Sequence, residues 1–251
     1  MLTSERKALI LDILRRDRRL VAKTLSHELE LSEDTIRRDL RELAGEGLLL
    51  RVHGGALPAS SAVADLTERW DVYPEAKRAI GQIAARRVRP GQVVILDGGT
   101  TAVQMARHLP PDLEATVVTH SPSVAVELAG HKHVEVQLIG GRLFKHSMVA
   151  VGAVAAEAIA KIRADAYYMG VTGVHPEVGI TTGDAEEAAI KHALSRQAAE
   201  TVVLVSSEKL GAASPFLIMP LADVDLLIVE PGVPDSVRNV YQELGLTLVD
   251  A

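Results

Sequence analysis

The segment LDGGTT at residues 96–101 places an aspartate, two glycines and two threonines directly after the apolar run VVIL. Glycine lets the backbone approach a ligand closely. Threonine hydroxyls and the first amides of a helix can donate hydrogen bonds to an anion such as phosphate. The predicted ligand-binding residues here are Asp97, Gly98, Gly99, Thr100 and Thr101. An ordinary strand-to-helix turn, capped by a threonine, is the alternative.

Two further loops offer hydroxyl groups and glycines after apolar runs. Thr119 and Ser121 follow one strand-like run, and Ser121 also suits the position just before a helix. Gly140 and Gly141 end the run VEVQLI, and Ser147 follows in the next connection. We predict that these five residues belong to the same binding site.

Asp184, Glu187 and Lys191 follow the spacing i, i+3, i+7 in the helical segment GDAEEAAIK. This spacing places the three side chains on one helix face. The carboxylates can hold sugar hydroxyls, and the lysine can hold a phosphate. The alternative is a solvated helix start with an aspartate cap and a Glu–Lys pair that contributes roughly a few tenths of a kcal/mol. Together with the other polar loops, the pattern favours a site.

Short apolar runs alternate with helical stretches after residue 75. The expected strands are 93–96, 116–118, 134–139, 166–171, 201–205, 226–229 and 247–249. The expected helices are 77–88, 101–108, 123–129, 153–162, 186–199 and 235–244. This alternation predicts an α/β fold with a largely parallel sheet. Ligands of such sheets bind at the carboxyl ends of the strands, where the polar loops fall.

Residues 1–57 carry three helical patterns followed by a short hairpin. The first helix is expected to follow Ser4 as its N-cap, the second spans about 21–27, and the third follows Ser32. The run LLLRVHGGAL then indicates a strand and a tight turn. Three short helices and a terminal hairpin predict a winged helix-turn-helix, which places one helix in the DNA major groove.

The third helix separates an apolar face from a charged face. At about 100° per residue, Ile36, Leu40 and Leu43 share one side, opposite the arginines. Arginine near a helix start can pair with guanine. The predicted DNA contacts are Ser32, Asp34, Thr35, Arg37, Arg38, Arg41, Arg51 and His53. The alternatives are an amphipathic helix with a solvated charged face and, for His53, an exposed wing histidine.

Composition and charge limit the classes of protein to which this chain can belong. The chain has 251 residues and a formal net charge of −6, of which residues 1–57 carry +1 and the remainder −7. This asymmetry indicates two units with different partners. Aromatic residues make up 3% of the chain, too few for a platform that stacks single-stranded nucleic acid.

Several classes of site are not expected. Without cysteine the chain has no disulfide and no thiolate metal site, and this composition fits the cytoplasm. The scattered histidines indicate no metal site. Neither a dinucleotide-binding nor an NTP-binding glycine loop is present, so no cofactor is expected. No apolar run reaches about 18 residues, so no membrane partner is expected.

The segment SEDTIRRDLRELAGEGLLLRVHGGA resembles the N-terminal signature of the DeoR family of bacterial transcriptional regulators. The rest of the chain is similar to the sensor domain of that family. The resemblance implies a Rossmann-like sensor, similar in fold to ribose-5-phosphate isomerase, that binds a phosphorylated sugar. We therefore expect a winged helix-turn-helix over 1–57, a linker over 58–75 and an effector-binding sensor domain over 76–251.

The motifs of this family coincide with the residues named above. Its D-x-G-T-T loop matches residues 97–101, and its D-x-x-E-A-x-x-K helix matches residues 184–191. Its T-N-S loop matches residues 119–121, with His120 in place of the usual asparagine. SSEKLG resembles its S-K-F-G segment, which makes Lys209 a further candidate, although a surface lysine after a strand needs no function.

The function implied is that of a cytoplasmic DNA-binding regulator, a repressor of carbohydrate genes that binds double-stranded operator DNA as a dimer or tetramer and responds to a phosphorylated sugar. One alternative is a sugar-phosphate isomerase-like enzyme with Glu187 as base and Lys191 as clamp. A protein-interaction module with a vestigial pocket is the other. The DNA-binding helices argue against the enzyme, because a metabolic isomerase has no role for them.

The segment at residues 66–81 contains Trp70, the single tryptophan, and Tyr73 beside a proline. In a chain so poor in aromatic residues, this pair predicts a packed hinge between the two units that couples ligand binding to DNA affinity. The alternative is that Trp70 covers the core of the sensor.

Overall fold

Three helices and a small antiparallel sheet form the N-terminal unit; the computed structural model describes residues 2–60, 66 and 68–250. The elements are α1 (Thr3–Asp17), β1 (Leu20–Val21), α2 (Ala22–Glu28), α3 (Glu33–Gly45), β2 (Leu49–Val52) and β3 (Gly55–Pro58). The strands lie in the order β1-β3-β2. The apolar faces of α1 and α3 meet in one core, in which Ile10, Leu14, Ile36 and Leu40 are buried. The winged helix-turn-helix is confirmed.

The two expected helix caps have different outcomes. Ser4 was the wrong N-cap, because α1 begins at Thr3 and Ser4 lies within its first turn. The carboxylate of Glu5 accepts a hydrogen bond from the Leu2 amide at 2.9 Å, so an acidic side chain stabilises this helix end. Ser32 caps α3 as expected, since its Oγ accepts from the Thr35 amide at 3.2 Å.

Seven parallel strands form the main sheet of the C-terminal unit. They are β4 (Val93–Leu96), β5 (Ala115–Thr119), β6 (Val134–Leu138), β9 (Ala164–Gly170), β12 (Ala198–Leu204), β14 (Leu226–Val229) and β15 (Thr247–Asp250). Their order is β15-β14-β12-β9-β4-β5-β6. The helices are α4 (Pro74–Arg87), α5 (Thr100–Arg107), α6 (Pro122–Leu128), α7 (Ala153–Ile159), α8 (Ala185–Ser195) and α9 (Asp235–Glu243). The predicted α/β class and parallel sheet are confirmed.

Short strands that the sequence pattern does not indicate lie beside the main sheet. A hairpin is formed by β7 (Arg142–Phe144) and β8 (Val149–Val151). A second small sheet contains β10 (Gly173–His175), β11 (Gly179–Thr182) and β13 (Phe216–Met219). Strands of three or four residues are too short to show a period of two, so the sequence does not distinguish them from loops.

Apolar layers cover both faces of the main sheet. Successive residues of a strand point to opposite faces, so Ile95 and Tyr167 pack in one layer and Leu96 and Tyr168 in the other. Because the central strands are buried on both faces, the polar groups that could meet a ligand come from the loops at the strand ends.

The connection between the two units lies partly outside the described residues, which omit 61–65 and 67 of the expected linker. Trp70 packs against the sensor core, and the Arg107 guanidinium lies 5.2 Å from the centroid of its ring. Tyr73 is exposed, so the two aromatic residues do not form the expected packed hinge. Trp70 instead covers the sensor core.

None of the described helices has the length and apolarity that crossing a membrane requires.

Candidate functional site

A pocket opens at the carboxyl ends of β4 and β9, between the starts of α5 and α8. The predicted residues that line it are Gly98, Gly99, Thr100, Thr101, Ser147, Glu187 and Lys191. The backbone after β9, at residues 170–172, forms another wall. The structure therefore brings the glycine–threonine loop and the acidic helix together at the edge of the sheet where the sequence predicts a ligand.

Asp97 lies fully buried behind this pocket. Its Oδ1 accepts a hydrogen bond from the Gly98 amide and its Oδ2 one from the Gly170 amide, each at 2.8 Å. Lys191 forms an ion pair with Asp97 and donates to the Gly170 carbonyl at 2.9 Å. Burial alone would raise the pKa of Asp97, but the Lys191 ammonium and the bonded His120 ring hold it well below its usual range. Asp97 thus orients Lys191 toward the pocket.

The two glycines of the loop have different roles: Gly98 allows a close approach to the hairpin β7–β8, and Gly99 allows a backbone conformation with positive φ. A β-carbon on Gly98 would lie 2.2 Å from Val149 Cγ1, and Gly99 has a φ of 101°. The first amides of α5 have no acceptor within the helix. Thr100 and Thr101 can therefore donate from both backbone and hydroxyl to an anion in the pocket.

Thr119 and Ser121 are buried beside this loop and are not among the residues that line the pocket. The Ser121 amide donates to Thr119 Oγ1 at 3.1 Å, and Ser121 Oγ donates to the Met148 carbonyl at 3.2 Å. They therefore fix the hairpin against the sheet. Gly140 and Gly141, just before β7, are also outside the pocket lining.

The start of α8 combines both roles that its spacing suggests. Asp184 caps the helix by accepting from the Glu187 amide at 2.9 Å, and it lines an adjacent cavity. Glu187 Oε2 accepts from Thr182 Oγ1 at 2.8 Å, while its Oε1 lies 3.7 Å from Lys191 Nζ. The carboxylate of Glu187 is thus held at the pocket wall, where it can accept a hydrogen bond from a ligand hydroxyl.

Further basic side chains complete the pocket: Arg69 and Lys77, which the sequence did not indicate, and the additional candidate Lys209. Burial and the nearby Lys209 ammonium lower the pKa of Lys77 to about 8. Lys209 is 8% exposed, and burial lowers its pKa too. In the part of the chain that the structure describes, no hydrogen bond or ion pair involves the Lys209 ammonium. Basic residues in a linker and on a helix are common, so no feature of the sequence indicates Arg69 or Lys77.

The charges around the pocket favour an anionic ligand. Four basic side chains line it against the two acidic side chains of Glu187 and Glu208. Of the four, Lys191 is neutralised by the buried Asp97. Lys77 and Lys209 are buried, so a ligand phosphate would interact with them more strongly than with ammonium groups in bulk solvent.

A second candidate site is the exposed face of α3. Arg38 and Arg41 are exposed, and within the described ranges neither forms an ion pair. Arg37 pairs with Glu33 at 2.7 Å, and Thr35 Oγ1 lies 2.9 Å from the capping Ser32 Oγ. The remaining predicted contacts are also exposed: Asp34 on α3, Arg51 on the wing strand and His53 in the wing turn. This surface suits the major groove of DNA.

A buried ion pair, which the sequence reading missed, holds α3 against α1. Arg6 Nη2 donates to Asp39 Oδ1 at 2.9 Å, and Asp39 is 1% exposed. The available signal was the position of Asp39 beside Leu40 on the buried side of α3.

Among the described residues, no three histidine, aspartate or glutamate side chains are grouped as a metal site requires.

Both units match known families. A DeoR-like helix-turn-helix domain matches residues 6–62, and a DeoR C terminal sensor domain matches residues 73–231. The chain is 35% identical to the HTH-type transcriptional regulator GlpR of Haloferax volcanii, over 100% of this chain and 98% of that protein. It is 32% identical to the HTH-type transcriptional repressor GlcR of Bacillus subtilis, over 92% and 89%. A ribose 5-phosphate isomerase from Methanocaldococcus jannaschii superposes with a TM-score of 0.41 at 17% identity, over 54% of each chain.

Proposed function

This chain belongs to the DeoR family of DNA-binding transcriptional regulators, and we propose that it is a repressor of sugar-metabolism genes that a phosphorylated sugar releases from its operator. Family membership makes the chain a regulator rather than an enzyme. The names of its relatives, a transcriptional regulator and a transcriptional repressor, support this assignment.

The positive charge of the pocket is the observation that best supports a phosphorylated sugar as the ligand. The Lys209 ammonium disfavours the charge of Lys77, and the cations of Arg69 and Lys191 disfavour that of Lys209, so an anion in the pocket would relieve this repulsion. The amides and hydroxyls at the start of α5 add donors for the phosphate oxygens. Glu187 and Ser147 line the same pocket and offer acceptors for sugar hydroxyls.

The isomerase alternative is disfavoured by the contacts of its proposed base. Glu187 is held by Thr182 on one oxygen and lies near Lys191 on the other. One carboxylate oxygen is thus already occupied by a hydroxyl donor and the other faces an ammonium, so the group is placed to fix a ligand rather than to move toward a substrate proton. The pocket is therefore better suited to binding than to turnover.

On the DNA side, we propose that α3 enters the major groove and that Arg38 and Arg41 contact base edges. One helix-turn-helix contacts too few base pairs to select a site in a genome, so the protein acts as a dimer or tetramer on repeated half-sites. This activity places the protein in the cytoplasm, with the operator DNA.

Fluorescence anisotropy with a labelled duplex from the region upstream of its own gene tests the proposal. The ligands are glucose 6-phosphate, fructose 1-phosphate and ribose 5-phosphate, each beside its unphosphorylated sugar. One phosphate should weaken DNA binding by roughly 5–150-fold, the range of typical coupling energies, and its free sugar should not. Product analysis of the same mixtures should show no turnover.

Lys209→Gln should weaken the response to that phosphate without changing DNA affinity in its absence. Lys132→Gln is the matched control, because Lys132 is exposed at the opposite end of the sheet, before β6. Thermal unfolding of the protein with the same ligands gives a second measure of binding. The proposal fails if none of the three phosphates changes either the melting temperature of the protein or its affinity for DNA. Isomerisation of a bound phosphate would support the enzyme instead.

A further inference from the structure

The DNA-binding domain rests directly on the sensor domain. We call this surface the interdomain contact, and it joins Arg19, Ala59 and Ser60 to Glu177, Ala213 and Thr172. Arg19 Nη1 lies 2.6 Å from Glu177 Oε1. Ala59 pairs with Ala213 in an isolated parallel bridge, and Ser60 Oγ donates to the Thr172 carbonyl. The chain directly after β3 is therefore attached to the sensor by backbone as well as by side chains, and Arg19 adds an ion pair from the turn after α1.

The sensor side of this contact shares one residue, Thr172, with the wall of the effector pocket. Thr172 lines the pocket while its carbonyl holds Ser60. Lys209 lines the pocket a few residues before Ala213, which pairs with Ala59. A ligand that moves either of these pocket residues would therefore displace a residue that contacts the DNA-binding domain.

The backbone at residues 209–214 is packed and cannot absorb such a displacement. All six residues are buried. The Gly211 amide donates to the Val174 carbonyl at 2.8 Å, and the buried Tyr241 hydroxyl donates to the same carbonyl at 2.8 Å. A β-carbon on Gly211 would lie 3.2 Å from Arg18 Cγ, so this backbone also touches the end of α1. Close-packed segments of this kind transmit a shift instead of dissipating it.

We propose that the effector lowers DNA affinity by loosening the interdomain contact, which otherwise fixes the orientation of the recognition helix for the operator. This inference rests on the proposed function of the pocket. A ligand changes DNA affinity only if it binds the docked and undocked arrangements differently, and a wall shared by pocket and contact supplies that difference. By linkage, operator DNA weakens effector binding by the same factor.

A reversible disulfide across the contact tests this route. The variant Ala59→Cys/Ala213→Cys introduces the only two cysteines of the chain. Strands that pair lie about 4.8 Å apart, within the roughly 4.4–6.8 Å between α-carbons that a disulfide requires. The reduced variant should respond to the effector like the wild-type protein. Because the disulfide holds the docked arrangement, the oxidised variant should bind the sugar phosphates more weakly than the wild type in calorimetry, and at saturating ligand its DNA affinity should change by less than ~2-fold.

A charge swap gives a second test without a crosslink. Glu177→Arg should weaken DNA binding in the absence of effector, because it opposes two positive charges across the contact. The double variant Arg19→Glu/Glu177→Arg should restore it. These residues lie outside the effector pocket. By linkage, Glu177→Arg, which loosens the contact, should therefore bind the sugar phosphate at least as tightly as the wild type does.

The outcomes separate this proposal from the proposed function. An oxidised variant that still releases DNA when a sugar phosphate binds would overturn the route, as would a cysteine pair that does not crosslink. Failure of the charge swap to restore DNA binding would also count against it. If the wild-type protein binds none of the sugar phosphates, the function of the pocket is wrong, whatever the disulfide does.

Discussion

His120 links the carboxylate of Asp97 to strand β8. Its Nε2 lies 2.7 Å from Asp97 Oδ1, and its Nδ1 lies 3.0 Å from the Ala150 carbonyl oxygen. The Ala150 amide in turn donates to the His120 carbonyl at 2.7 Å. Both ring nitrogens of His120 are therefore engaged, one by a carboxylate and one by a backbone carbonyl. His120 therefore helps Lys191 to stabilise the Asp97 anion and fixes the hairpin beside the pocket.

His120→Asn should destabilise the folded protein by about 1–3 kcal/mol, because the shorter amide cannot bond to both partners and leaves a buried group unsatisfied. Urea unfolding of the full chain measures this change. His133→Asn is the control, since His133 is exposed, and should change stability by less than about 0.5 kcal/mol. Equal effects at the two positions would show that the His120 hydrogen bonds contribute no net stability.

The strands of the main sheet were predictable because buried parallel strands are continuous apolar runs with polar borders. The expected bounds of β4 and β14 agree with the observed Val93–Leu96 and Leu226–Val229. The hairpin β7–β8 was not predictable in the same way. Its strands are too short to show a pattern, and their pairing depends on contacts with α7 and the main sheet.

Part of the site was predictable because its residues follow strands or share a helix face. Gly98, Glu187 and Lys191 belong to this group, and the structure places them around one pocket. Arg69 and Lys77 follow no strand, and a sequence does not show that these two residues line a pocket at the carboxyl ends of β4 and β9. The pairing of Asp97 with His120 joins residues 23 positions apart and depends on the neighbouring positions of β4 and β5.

Asp39→Ala should destabilise the protein by about 3 kcal/mol, because it leaves the Arg6 guanidinium without its partner at the α1–α3 interface. Urea unfolding of the full chain measures the loss. The double variant Arg6→Met/Asp39→Leu should recover most of it, since an apolar pair removes both buried charges. Glu33→Ala removes only the exposed pair with Arg37 and is the control. A loss at Asp39 no larger than at Glu33 would contradict the role of the buried pair.

Arg38→Ala should weaken binding to the operator by about 1–3 kcal/mol and relax the base preference at one position, because the exposed guanidinium can pair with guanine. Anisotropy titrations with the operator and with a random duplex of the same length separate the two effects. Arg89→Ala, an exposed arginine of the sensor, should change neither affinity. Equal losses on both duplexes would indicate a phosphate contact instead.

The depressed pKa of Lys77 has opposite consequences for stability and for effector binding. Its pKa in the folded protein is about 8, below the usual value for lysine. Between these values the unfolded chain binds the proton and the folded chain does not, so stability rises with pH in this window. A phosphate, in contrast, binds best to the charged ammonium. Effector affinity should therefore fall as the pH rises through the same window.

Calorimetric titration of the wild-type protein with the sugar phosphate that releases it should show an increase in Kd of about tenfold between about pH 7 and about pH 9, as expected for loss of one proton from a group that binds the ligand only when charged. Lys77→Gln should bind more weakly at the lower pH and lose this pH dependence, because the ammonium that titrates in this range has been removed. Lys132→Gln, at an exposed site, should keep the full slope of the wild type. The phosphate is already a dianion over this range, since its second pKa is near 6, so its own ionisation does not produce the trend. A Kd independent of pH in the wild-type protein would show that Lys77 does not contact the phosphate.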